Sequence, residues 1–293
     1  MSLTVLFILG RLFHFSAVIL MFGISIFIVF LTPQQLKTAL GSRLNNGLNY
    51  AIIANLLTAA IIVSVQSGLM GEGWVDAIDF ATIAAVLETT FGKVWLWQLL
   101  FSVLSALCLF ISPSLRFKLI AGLSAALLIN LGFVGHVTIS TGLLGVVHPI
   151  NHAIHLLSGG YWLGTLVPLL MCLRYLSDPT KRKYAISAMI KFSNFGHIAV
   201  LLVIISGIIN TAIILGSFPV HWSSPYQRFL GIKIFLVIIM IGIALYNRYI
   251  LVPRIRPGVT NTLRCFTACT LLEIIAGAIV LSLVSFFATL SPT

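Results

Sequence analysis

Eight long apolar runs, separated by short polar stretches, set the pattern of this chain. They cover roughly residues 4–31, 48–70, 92–111, 118–139, 149–174, 191–215, 228–250 and 264–290. Each is long enough to cross a hydrocarbon core of about 30 Å. Lipid offers the backbone no hydrogen-bond partner, so the runs are predicted to be helices. No alternating ten-residue pattern suggests a barrel. The first run is read as a retained span: Arg11 and His14 interrupt it, and no small-x-small cleavage site follows. The expected fold is therefore all-α, a polytopic membrane protein with eight transmembrane helices. Residues 1–293 are expected to form a single transmembrane helical bundle domain. There is no internal repeat and no low-complexity segment.

Composition agrees with this. Of the 293 residues 59% are hydrophobic and only 8% charged, against about 25% charged in a soluble domain. The net charge of +11 does not indicate nucleic-acid binding, because no basic face with interleaved aromatics carries it. The basic residues sit instead in alternate connections. Lys37 and Arg43, Arg116 and Lys118, the 174–191 cluster, and Arg248, Arg254, Arg256 and Arg264 place 13 of the 17 on one side. The positive-inside rule then puts both termini outside, on the side away from the cytoplasm. The opposite connection, 71–91, carries Glu72, Asp76, Asp79 and Glu88, four of the six acids. It reads as a solvated loop, or as a weak funnel for cations.

With the topology set, depth follows. His14 lies about three turns into the first span. His136 lies near the outer end of the fourth. The stretch "HPINHAIH" opens the fifth with His148, His152 and His155. At about 100° per residue, His152 stands about 40° from His148, and His155 about 20° to the other side. One helical stripe therefore carries three imidazoles, with Pro149 expected in the first turn. His221 is read as a loop residue, and His197 lies toward the cytoplasm. Polar groups inside a bilayer are costly and face partners or cavities, and neutral imidazole is the commonest metal ligand. The candidate metal ligands are His14, His136, His148, His152 and His155, with Met70 as a soft addition. Glu273, deep in the last span, needs a partner, and Arg248 is the expected one. The cysteines Cys108, Cys172, Cys265 and Cys269 all fall in the cytoplasmic half, so disulfides are not expected. Cys265 and Cys269, one turn apart, read either as small hydrophobes or as an inner thiol relay for Cu(I).

The stretches "RLFHF", "QSGLMGEGW", "FGKVWLWQLL", "GFVGHVT", "NHAIHLLSGGYWLGTLVPLL", "KFSNFGHIAVLLVIISGIIN" and "NRYILVPR" resemble, in this order, the CopD family of bacterial copper-resistance membrane proteins. The likeness runs over essentially the whole chain and is greatest to the short, stand-alone form. It implies a multi-pass protein of the bacterial inner membrane that takes part in copper transport and homeostasis. The histidines on the family pattern are His14, His136, His148, His152, His155 and His197. Some longer relatives carry a CopC-like domain, whereas this chain opens at once on its first span. The resemblance therefore implies a separate periplasmic CopC-type copper protein as partner, besides copper ion and the lipid bilayer.

Three functions compete on the sequence. The first is a copper-binding translocation protein and not an enzyme. No Walker or aspartyl-phosphorylation motif is present, so ATP-driven pumping is not expected. The second is a b-type haem protein with a redox role, its axial ligands drawn from His14, His136, His152 and His197. Only one histidine lies in the inner half, which argues against two haems. The third is a docking subunit whose histidines serve a partner.

Overall fold

The computed structural model describes residues 2–134, 142–216, 224–255 and 260–291. Its helices are α1 (Leu3–Ile26), α2 (Gln34–Met70), α3 (Phe80–Glu88), α4 (Thr90–Leu107), α5 (Pro113–Leu131), α6 (Leu144–Leu173), α7 (Arg182–Leu215), α8 (Pro225–Tyr246) and α9 (Thr260–Phe287). A π-helical turn extends α1 over Phe27–Leu31, and another extends α8 over Asn247–Leu251. No strand occurs among the described residues. All the helices except the short α3 are long and apolar enough to cross a membrane, eight in number. An even number of crossings returns both chain ends to the same end of the bundle, the terminal end. The links after α1, α4, α6 and α8 lie at the opposite, connecting end.

The second span is longer than its hydropathy suggests. Residues 34–47, expected as a polar loop, continue α2 without a break. Leu36, Leu40, Leu44 and Leu48 recur every fourth residue and are 0%, 0%, 4% and 0% exposed. This spacing lays one apolar ridge along the helix, and the polar residues between face outward. Lys37 and Arg43 are therefore helical residues. Lys37 reaches back to donate to the Val29 carbonyl at 2.9 Å.

α1 is the central helix. It packs on α2, α5, α6 and α9, while α7 leans on α6 and α8 on α9. The most apolar 18-residue windows of α1 and α6 are 56% buried, against 17% for α7 and 6% for α8. Within lipid there is little hydrophobic gain in joining helices, so close packing and polar contacts hold them. Met21, Phe27, Leu31, Leu127, Leu128 and Leu166 supply the main core.

At the connecting end, Arg116 acts as a structural clamp. It is 7% exposed and donates to the carbonyls of Cys108, Leu109 and Ile111 at 2.9, 2.8 and 2.8 Å. It also donates to the side-chain oxygens of Asn45 and Asn49 at 3.1 and 2.7 Å. The guanidinium thereby satisfies carbonyls that the end of α4 leaves without helical partners.

The acidic connection 71–91 is largely structured. Asp79 caps α3, accepting from the Thr82 N–H at 2.8 Å and its hydroxyl at 2.7 Å. These bonds hold its carboxyl below the usual range. Asp76 accepts from the Glu72 N–H. Two of the four acids are thus engaged in local turns.

Candidate metal centre

α6 carries the histidine stripe. The helix starts at Leu144, so Pro149 falls in its second turn rather than its first. There the ring cannot donate to the carbonyl one turn back, at Gly145. His148 is 1% exposed. His152 lies close to the backbone of Gly132, where α5 ends. A Cβ on Gly132 would come within 2.9 Å of the Ala153 nitrogen, so only glycine lets the end of α5 approach α6 this closely. The Nδ1 atom of His152 is buried and has no hydrogen-bond partner.

His155 is held by α7. Its Nδ1 stands 2.9 Å from the Ser206 hydroxyl. That hydroxyl gives its own proton to the Leu202 carbonyl, 2.5 Å away. His155 must therefore donate from Nδ1, which leaves Nε2 as the lone-pair nitrogen. A hydrogen bond to one ring nitrogen fixes the tautomer in this way and aims the other. Beside it, Asn151 donates to the Ser206 carbonyl at 2.9 Å and to Asn210 at 2.8 Å. Two bonds from one amide fix the rotation of α6 against α7.

Lys233 of α8 lies within electrostatic reach of both His152 and His155. It is not among the site residues expected from the sequence. A lysine eight residues inside α8 is the signal that marks it, since charges at that depth face partners or cavities.

His14 occupies a different setting. It is wholly buried. Thr58 gives its proton to the Ala54 carbonyl at 2.6 Å, so His14 Nδ1 donates to the Thr58 oxygen at 3.1 Å. His14 Nε2 then accepts from the Gln98 amide at 2.9 Å. Gln98 Oε1 accepts from Asn130 at 2.7 Å. The chain of bonds ties α1, α2, α4 and α5 together, and Trp95 packs on the imidazole with ring centres 5.3 Å apart. Both ring nitrogens are engaged.

The remaining candidates are dispersed. Met70 ends α2 and is 53% exposed. His197 is exposed; its Nδ1 donates to the Ser193 carbonyl at 2.7 Å and its Nε2 accepts from the Tyr249 hydroxyl at 3.1 Å. His136, His221 and Arg256 lie outside the described residues. Among the described residues no three His, Cys, Asp or Glu side chains stand close enough to hold one ion. The structure thus keeps the neighbours His148, His152 and His155 on one helix, and sets His14, Met70 and His197 apart from them.

Glu273 corrects an expected pairing. Its partner is Asn247, which donates to Oε2 at 3.1 Å. Arg248 points instead to Asn194, 3.5 Å away. The one ion pair among the described residues joins Lys181 to Asp178, at 3.3 Å.

An eight-span bundle that buries imidazoles, amides and a lysine between apolar helices is a multi-pass membrane protein with an ionisable interior. Residues 1–146 match the family described as copper resistance protein D-like, N-terminal domain, and residues 186–287 match copper resistance protein D. Similarity to inner membrane protein YebZ of Escherichia coli (strain K12) is 36% identity over 282 residues, or 96% of this chain and 97% of that protein. Copper resistance protein D of Pseudomonas syringae pv. tomato is 27% identical over 254 residues, 83% of this chain and 82% of its own. Copper transport protein CutJ of Bacillus subtilis (strain 168) is 25% identical over 226 residues, 73% of this chain and 41% of its own. The chain belongs to the copper resistance protein D family, and it is a multi-pass protein of the bacterial inner membrane.

Proposed function

We propose that this protein binds copper at the histidine stripe of α6 and passes it through the bundle. The observation that carries this reading is the pair of imidazoles one turn apart. His152 has a buried, unpartnered Nδ1, and His155 has its Nδ1 tied to Ser206, which turns Nε2 into a lone-pair donor. Buried imidazole nitrogens without partners are costly unless something binds them. Imidazole accepts either oxidation state of copper. His148 adjoins them on the stripe, and His136 is the proposed further ligand. His14, with both nitrogens engaged, serves to orient the helices around the site.

The terminal end faces the periplasm in this reading, and both termini lie there. Its support is the concentration of Lys and Arg at the connecting end. A soluble CopC-type protein delivers the ion to the stripe. α1 touches helices of both matched segments, which supports treating residues 1–293 as one bundle domain.

Metal analysis of the purified protein tests the reading. One copper equivalent is expected, lost in His152→Ala/His155→Ala without loss of folded protein. Cells deleted for the protein are expected to hold less copper when copper is scarce. A reducible Soret band in the purified protein, or copper stoichiometry unchanged in the double variant, overturns the proposal.

A further inference from the structure

Far from the histidine stripe, α9 carries Cys265, Cys269 and Glu273 at four-residue steps. That spacing sets them one above another on a single face. Glu273 lies at mid-helix and is 3% exposed. Asn247 donates to Oε2, and Trp162 of α6 faces the carboxyl, but Oε1 is buried without a hydrogen-bond partner. No basic residue among the described residues pairs with it. Inside lipid such a group calls for a proton or a cation. One turn toward the connecting end, Cys269 lies within electrostatic reach of Glu273 and in hydrogen-bond contact with Cys265. Both thiols are free, with Cys265 exposed and Cys269 half-buried.

We propose that Cys265 and Cys269 form a thiol site for Cu(I) at the connecting end of the bundle, with the Glu273 carboxylate beside it taking one of the two thiol protons that the ion displaces. Two thiolates one turn apart match a soft monovalent ion that accepts few ligands. Carboxylate and imidazole are harder donors, so the path from the α6 stripe to this pair runs from harder to softer ligands. The other thiol proton goes to solvent, so one positive charge leaves as one enters, and copper stays Cu(I) with no electron donor needed. The site stands on its own residues and does not require the histidine reading to hold.

The test offers Cu(I) anaerobically to the purified full-length protein against a chromogenic Cu(I) chelator. The expected result is a near-ultraviolet thiolate-to-copper band and one Cu(I) equivalent, both lost in Cys265→Ser/Cys269→Ser. His152→Ala/His155→Ala keeps this band, so the two sites succeed or fail separately. Glu273→Gln weakens the thiol site by about 10–100-fold. Saturating Cu(I) also slows maleimide labelling of Cys265 in the unaltered protein, a readout independent of how the variants fold. An unchanged spectrum and stoichiometry in the double serine variant, or labelling of Cys265 at the same rate with and without Cu(I), overturns the proposal.

Discussion

Gly23 of α1 and Gly164 of α6 meet backbone to backbone at the centre of the bundle. A Cβ on Gly164 would stand 3.0 Å from the Gly23 Cα and would overlap the Ile19 carbonyl, and one on Gly23 would overlap the Gly164 carbonyl. Small residues at a crossing let membrane helices approach to van der Waals contact of their backbones. Here the contact joins the central helix to the helix that carries the histidine stripe.

Gly23→Ala and Gly164→Ala are therefore expected to destabilise the bundle. Overpacking costs about 1–3 kcal/mol, and the upper end applies because the obstacle is backbone, which cannot swing aside. Gly47 and Gly122 are the controls, because a Cβ there meets nothing within 4 Å. Alanine at these helix-interior positions is expected to stabilise by about 0.5–1 kcal/mol. Thermal unfolding in detergent separates the two classes. Equal midpoints for Gly23→Ala and Gly47→Ala would count against the close crossing.

Asp178, in the link between α6 and α7, gives a pH dependence of known sign. The Thr180 N–H and hydroxyl donate to it at 2.9 and 2.7 Å, and Lys181 stands 3.3 Å away. The hydroxyl and N–H of Thr180, then Lys181, hold its carboxyl down to about 2 from the usual 3.8. A depressed carboxyl stabilises the folded link fully above the ordinary value, and this is lost as pH falls through the depressed one. The amide of Thr180 is expected to keep its exchange protection from neutral pH down to about 4 and to lose it progressively toward about 2. Asp178→Ala is expected to remove the protection at all pH values. Hydrogen exchange across this link measures both.

The eight crossings were legible because long apolar runs leave few alternatives in lipid. The stripe was legible because its spacing lies within one helix. What failed depends on relations between helices. Gln34, Lys37 and Arg43 made the start of α2 resemble a loop, and only the four-residue recurrence of Leu36, Leu40, Leu44 and Leu48 reveals it. Arg248 was expected to meet Glu273, yet its neighbour Asn247 does so. One residue is a rotation of about 100°, and the π-helical turn beginning at Asn247 shifts the register of the residues after it. Thr58, Gln98 and Ser206 gave no sign in sequence of which imidazole each would hold, because helix adjacency is not written in any single run.

The bonding of His14 gives it a structural role. Its two nitrogens bind Thr58 and Gln98 at 3.1 and 2.9 Å. His14→Ala leaves the buried Gln98 amide without its acceptor, at a cost of about 1–3 kcal/mol, while Thr58 keeps its bond to the Ala54 carbonyl. The expected outcome is a lowered unfolding midpoint with the copper equivalent of the α6 stripe retained. Gln98→Ala is expected to lower the midpoint likewise. A His14→Ala protein that keeps its midpoint and loses copper would transfer His14 to the metal site.

Lys233 stands beside the imidazoles of the α6 stripe, where it would bear on the charge of any ion bound there. It lies within electrostatic reach of His152 and His155, and among the described residues no acid pairs with it. Even at ~10 Å and an effective dielectric constant of ~20, like unit charges repel by about 1.7 kcal/mol, more than a factor of ten in affinity. The penalty is linear in the charge of the bound ion, so a divalent cation suffers it twice. Lys233→Met is therefore expected to tighten Cu(I) binding at the stripe by about tenfold or more, and Zn(II) binding by about a hundredfold or more. Chelator competition with each ion in turn measures the ratio. Equal gains for the two ions, or none, would mean that no fixed charge stands at the site, and Lys233 would then have no part in choosing the ion.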